Sequence, residues 1–238
     1  MKLIAFLITA FASVLLADEA PKPESHTTRQ IEGWTVRVDD RLLNAPNDEL
    51  GKRALLLLER RLADIRLVMA KERVEQLQRV VIQLDMTHGT LTSMQYHPNV
   101  GWLTSHGFAP ELGKCVHIPV AQNFADPGHQ HAQPWSVLHE LAHSYHDQVL
   151  GFDNAKIKEA WKHYKESGHG DSVLHVNGKH MKHYALTDQM EFFAEMSECY
   201  FGTNDFFPFV NGELKVAEPE IHALLKEIWG PLNRSRDK

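Results

Sequence analysis

Apolar positions in the first third of the chain follow two different periods. Trp34, Val36 and Val38 alternate with polar residues, the spacing of a half-buried strand. From Leu50 onward, Ala54, Leu58, Leu62, Ile65 and Met69 recur every three or four positions, which makes one stripe of a long amphipathic helix started by Asn47 and Asp48. A stripe of this kind is core far more often than a cofactor or membrane face. Lys71 to Gln78 continues the helical pattern, and Val80 to Leu84 reads as a buried strand. Gly89 to Tyr96 and Lys114 to Val120 are strand candidates within a turn-rich stretch. Residues 18–30, polar and carrying Pro21 and Pro23, read as a loose leader into the first strand.

After Pro134 the pattern changes to long helices, over Pro134 to Leu150 and Ala155 to Lys165. Asn177-Gly178 then lies between Val173 to Val176 and His180 to Ala185, and that dipeptide is the favoured two-residue turn of a hairpin. Asp188 to Phe201 is helical and apolar around much of its circumference. A last helix, Glu218 to Trp229, stops at Gly230-Pro231. No repeat and no linker interrupts the chain. Strands come first and helices later, so the expected class is α+β: a small sheet, then helices, in a single domain over residues 31–238.

At 238 residues and 43% hydrophobic, the composition is that of a globular protein, which rules out a disordered or collagen-like chain. Lys plus Arg number 25 against 31 Asp plus Glu, and no stretch gathers the basic residues into a stripe, so nucleic acid is not an expected partner. Met1-Lys2 followed by the apolar run Leu3 to Leu16 reads as a secretory signal peptide over residues 1–17, cleaved after Ala17, although Leu15 is large for the −3 position. The run is shorter than the roughly 20 apolar residues of a bilayer span, so stable membrane insertion is not expected. The location implied is secreted or periplasmic. In that oxidising space Cys115 and Cys199 can form one disulfide or remain two buried thiols, and the lack of CxxC excludes a cysteine zinc cage.

Sixteen histidines are the unusual count. In the helix after Pro134 the chain reads His139-Glu140-Leu141-Ala142-His143, an HExxH pattern. At about 100° per residue, His139 and His143 stand one turn apart on one face and can converge on a single ion, while Glu140 projects beside them. This is the arrangement of two zinc ligands and a general base. Trp135, Val137, Leu138, Leu141 and Ala142 mark the helix as buried, and buried histidines need partners.

A catalytic zinc takes three protein ligands. His146 is excluded, since it lies two turns beyond His139, about 10.5 Å along the axis. The metzincin pattern also fails, with His146 at its Gly position and Val149 at its last His. His129 and His131 are candidates from the preceding loop. Glu191-Phe192-Phe193-Ala194-Glu195 is a stronger one: two carboxylates share a helix face, so one can bind the ion and the other can hold the free nitrogen of a ligating histidine. Tyr184, seven positions before Glu191, offers a phenol for a developing oxyanion.

HELAH together with Tyr184 and EFFAE resembles the zinc peptidase domain of the anthrax lethal-factor-like family, which includes the Pro-Pro endopeptidases. The resemblance covers roughly residues 95–230. It implies a zincin-like fold, one Zn2+ per chain on His139, His143 and Glu191, Glu140 as base, Tyr184 as oxyanion donor and Glu195 behind the ligands. By the same analogy Gly113 to Val120 is the edge strand along which an extended peptide lies. The docking domains of lethal factor are missing, so its substrate and toxin role are not carried over. The expected function is a secreted zinc endopeptidase with a peptide or protein substrate. The rivals are a zinc-fold binding module without turnover and a zinc amidase acting on cell-wall amides.

Overall fold

The computed structural model describes residues 19–232. The expected signal peptide lies outside them. Among the described residues no helix is long and apolar enough to cross a membrane. The elements run β1 (His26–Ile31), β2 (Trp34–Asp39), α1 (Asp48–Val68), α2 (Lys71–Leu77), β3 (Ile82–Leu84), β4 (Gln95–Tyr96), α3 (Val100–Ser105) and β5 (Val116–Ile118). They continue through α4 (Ala121–Phe124), α5 (Pro127–Ala132), α6 (Ser136–Tyr145), α7 (Ala155–Ser167), β6 (Val173–Leu174), β7 (His180–Met181), α8 (Gln189–Phe201), α9 (Asn211–Ala217) and α10 (Pro219–Trp229). The class is mixed α+β, a small sheet followed by helices.

The main sheet has the order β1-β2-β3-β5-β4. Its three central strands are parallel, and β1 and β4 close the two sides antiparallel. Val36, Val38, Ile82, Leu84, Val116 and Ile118 are buried in one apolar cluster with the stripe of α1, which the periodicity places correctly from Ala54 to Met69. That cluster extends without a break through α6 and α8 to Trp229. The opposite face of the sheet is polar: Arg37, Gln83, His117 and Gln95 lie side by side in register across four strands. Gly51 lets α1 close against the turn before it, because a Cβ there would sit 1.8 Å from the Leu42 carbonyl oxygen.

Several expectations are corrected. Residues 26–31 are a strand rather than part of a loose leader, and β1 joins β2 through Glu32 and Gly33, both at positive φ (51° and 91°). Its sequence His-Thr-Thr-Arg-Gln-Ile is mostly exposed, so it lacks the alternation that reveals a half-buried strand. Of Gly89 to Tyr96 only Gln95–Tyr96 pairs as a strand. β5 is not the sheet edge, since β4 lies outside it. The residues of the expected loop at His129 and His131 form α5, which starts at Pro127 and is capped by Asp126. The helix expected over 134–150 is α6 followed by a π-helical turn, His146–Leu150. The β6–β7 hairpin forms, but five residues, His175 to Lys179, connect its strands: the Gly178 N–H donates to the His175 carbonyl, and Gly178 takes φ 81°. Cys115 and Cys199 are both buried free thiols.

Candidate metal centre

Two crossing helices build the site. α6 carries His139, Glu140 and His143, and α8 carries Glu191, Glu195 and Glu198. α8 begins where the Asp188 side chain accepts the N–H groups of Met190 and Glu191, so Glu191 sits in a capped first turn where a negative charge is favoured. From Phe192 to Phe201 every residue of α8 is buried, as expected of a helix packed on all sides. Gly202 ends α8 against the start of α6. A Cβ there would lie 1.9 Å from the Trp135 indole, so only glycine lets the two helices approach this closely.

The approach brings the ring nitrogens of both histidines to one carboxylate oxygen. Glu191 Oε2 lies 3.1 Å from His139 Nε2 and 3.4 Å from His143 Nε2. The two imidazoles stand edge to face, with centroids 4.7 Å apart. His139 Nδ1–H donates to Glu198 Oε1 at 2.7 Å, which fixes the tautomer and turns Nε2 toward Glu191. Burial works against charge on His139, but the hydrogen bonds to Glu191 and Glu198 outweigh it and hold its pKa well above the usual imidazole value. Burial likewise opposes the Glu191 carboxylate, yet His139 and His143 hold it well below the usual range. Two nitrogens and one oxygen, all within 4.8 Å of one another, are a donor set for a divalent ion such as zinc.

Glu140 stands beside this group. Its Oε2 accepts the Tyr96 N–H at 2.7 Å, and burial raises its pKa. Tyr96 is in β4, so the edge strand touches the carboxylate of the motif directly. The site opens into a cleft of about 680 Å3 whose walls include Met94, Gln95, Tyr96, His129, Tyr184 and Glu191. Tyr184 is on a 3-10 turn after the hairpin instead of on its strand, and is 48% exposed with its ring on the cleft.

His139, Glu140, His143, Glu191 and Tyr184 therefore share one cleft. His129 lines it but is outside the metal-ligating group, and His131 belongs to neither. His146 points away from the cleft group, its ring set between Phe152 and Phe193. Glu195 lies behind His139 at 3.5 Å, with its Oε2 accepting from Asn204. Glu198, which the sequence reading missed, makes the shorter contact. The signal was present: Glu198 follows Glu191 by seven residues, two turns along the same face. Comparisons with protein-family models, with curated proteins and with solved structures find no match.

Proposed function

We propose that the chain is a zinc-dependent endopeptidase with a zincin-like site, in keeping with the resemblance carried by HELAH, Tyr184 and EFFAE. The observation that supports this reading best is the convergence of His139 Nε2 and His143 Nε2 on Glu191 Oε2, with Glu140 alongside and an open cleft in front. These three side chains would hold Zn2+, which when bound acts as a Lewis acid toward water and the scissile carbonyl. Glu140 takes the proton of the attacking water and delivers it to the leaving amine nitrogen. Its burial suits that task, because desolvation raises its pKa and makes it a stronger proton acceptor than an exposed carboxylate. The Tyr184 hydroxyl donates a hydrogen bond to the oxygen that gains negative charge. Glu198 holds His139 in the tautomer that leaves Nε2 free to ligate, and Glu195 packs behind it. The secretory leader expected over residues 1–17 would suit a hydrolase acting on external peptides.

The test separates metal binding from turnover. Glu140→Gln should keep one zinc at this centre and lose cleavage of a peptide library, read by mass spectrometry, by a factor of at least about 10². Glu191→Ala should lose that zinc. Undiminished cleavage by Glu140→Gln would reject the mechanism. Zinc binding without any peptide fragments would leave the binding module or the amidase.

A further inference from the structure

The polar face of the sheet holds a second convergence of ligating atoms, separate from the cleft. Asp85 follows β3 directly and is fully buried, with His117 from the neighbouring strand β5 and His88 from the loop beyond. His88 Nδ1 lies 2.7 Å and His117 Nε2 2.8 Å from the same oxygen, Asp85 Oδ2. The Gln83 amide donates to that oxygen as well, at 2.8 Å. Three nitrogens thus crowd one oxygen that has two in-plane lone pairs. The other carboxylate oxygen is held by His26 Nε2 at 2.8 Å, and the far nitrogen of His117 is held by His97 Nε2 at 3.2 Å. An outer partner on the free ring nitrogen is the usual support of a ligating histidine.

Packing gives an independent reason to expect a cross-link here. Between β3 and β5 the chain wanders through residues 85–115 with one six-residue helix, a 3-10 turn at Pro110–Leu112 and a two-residue strand. Tyr96, Met86 and Met94 reach the main core, but the segment's own apolar cluster contains just Leu91, Leu103 and Leu112, with Phe108 against it. So small a core seldom orders a segment of this length, and structural metals are a common substitute. Strand residues that face a covering segment are ordinarily apolar, whereas here the sheet presents Gln83 and His117.

We infer that Asp85, His88 and His117 bind a second divalent transition-metal ion, which ties the segment carrying β4 to the sheet. The chemical class follows from the donors: two imidazoles and one carboxylate suit Zn2+ or its first-row neighbours rather than Ca2+ or Mg2+. Seating it requires the nitrogens on Asp85 Oδ2 to open from 2.7–2.8 Å to about 3.3 Å, a shift of about half an ångström. The role is structural, since all three ligands are buried. It is independent of whether the cleft hydrolyses peptides.

Metal content by plasma mass spectrometry decides the matter, on full-length protein loaded with Zn2+ and desalted. The expected stoichiometry is two Zn2+ for the wild type, one for His139→Ala/His143→Ala and one for His88→Ala. His88 is chosen because it lies in a loop, where alanine leaves the sheet intact. In the His139→Ala/His143→Ala background, Zn2+ should raise Tm, and adding His88→Ala should abolish that rise. Co2+ in the same background should give visible d–d absorption that His88→Ala removes. One Zn2+ in the wild type and none in His139→Ala/His143→Ala, with native circular dichroism, overturns the second site. One in each would support it and reject the cleft as a metal centre.

Discussion

Among the described residues His146 is a histidine with no hydrogen-bond partner on either ring nitrogen. It is fully buried. Burial lowers its pKa to about 4, so it is neutral in the fold at neutral pH. The sign of the pH effect follows. Between about pH 6.5 and 4 the unfolded chain takes up a proton that the folded chain refuses, so this residue makes stability fall as pH falls, by about 1.4 kcal/mol per pH unit at most. His146→Leu should therefore stabilise the protein at pH 7 by roughly 1–3 kcal/mol, by removing two unsatisfied polar atoms, and should make urea midpoints less sensitive to acid. A lower midpoint at pH 5 than in the wild type would contradict this. Tyr184 calls for a kinetic test. If its hydroxyl serves the developing oxyanion, Tyr184→Phe should lower kcat about 10²-fold and change KM little, whereas a binding role would raise KM.

At the scale of elements, the site depends on how closely α6 and α8 meet. Gly202→Ala forces a methyl group into the Trp135 indole, so it should destabilise the fold by roughly 1–3 kcal/mol and weaken zinc binding at His139 and His143, measured by denaturation and by competition with a chelator. A variant with wild-type stability and zinc affinity would show that Trp135 can move aside without disturbing α6. These helices were also the most legible parts of the sequence, for the same reason. α1, α6 and α8 bury broad apolar surfaces, and burial at helical spacing is what periodicity records. β1 and α5 went unread because β1 is almost entirely exposed and α5 buries no residue fully, so neither leaves a period in the sequence. The π-helical turn after Tyr145 was hidden too, since its residues extend the apolar pattern of α6 without marking the change in winding.

Over the whole molecule, legibility depended on sequence distance. His139, Glu140 and His143 lie within five positions, so one helix fixes their relation and the motif reveals it. Glu191, Glu195 and Tyr184 stood out by residue type and spacing, but only the resemblance chose Glu191 as the ligand, because their meeting with α6 is made by packing across some fifty residues of chain. The group around Asp85 left no motif at all. Its members come from a strand end, a loop and a neighbouring strand, and only the register of β3 with β5 brings them together.

The two sides of the main sheet are closed in unlike ways. β1 is six residues long and exposes Thr27, Thr28, Arg29 and Gln30 along one edge, while β4 at the other edge is two residues long and borders the cleft. A polar edge and a very short one both discourage strands of neighbouring molecules from adding on. The sheet can thus keep backbone groups within reach of a visitor in the cleft while giving two copies of the protein little on which to build a fibril.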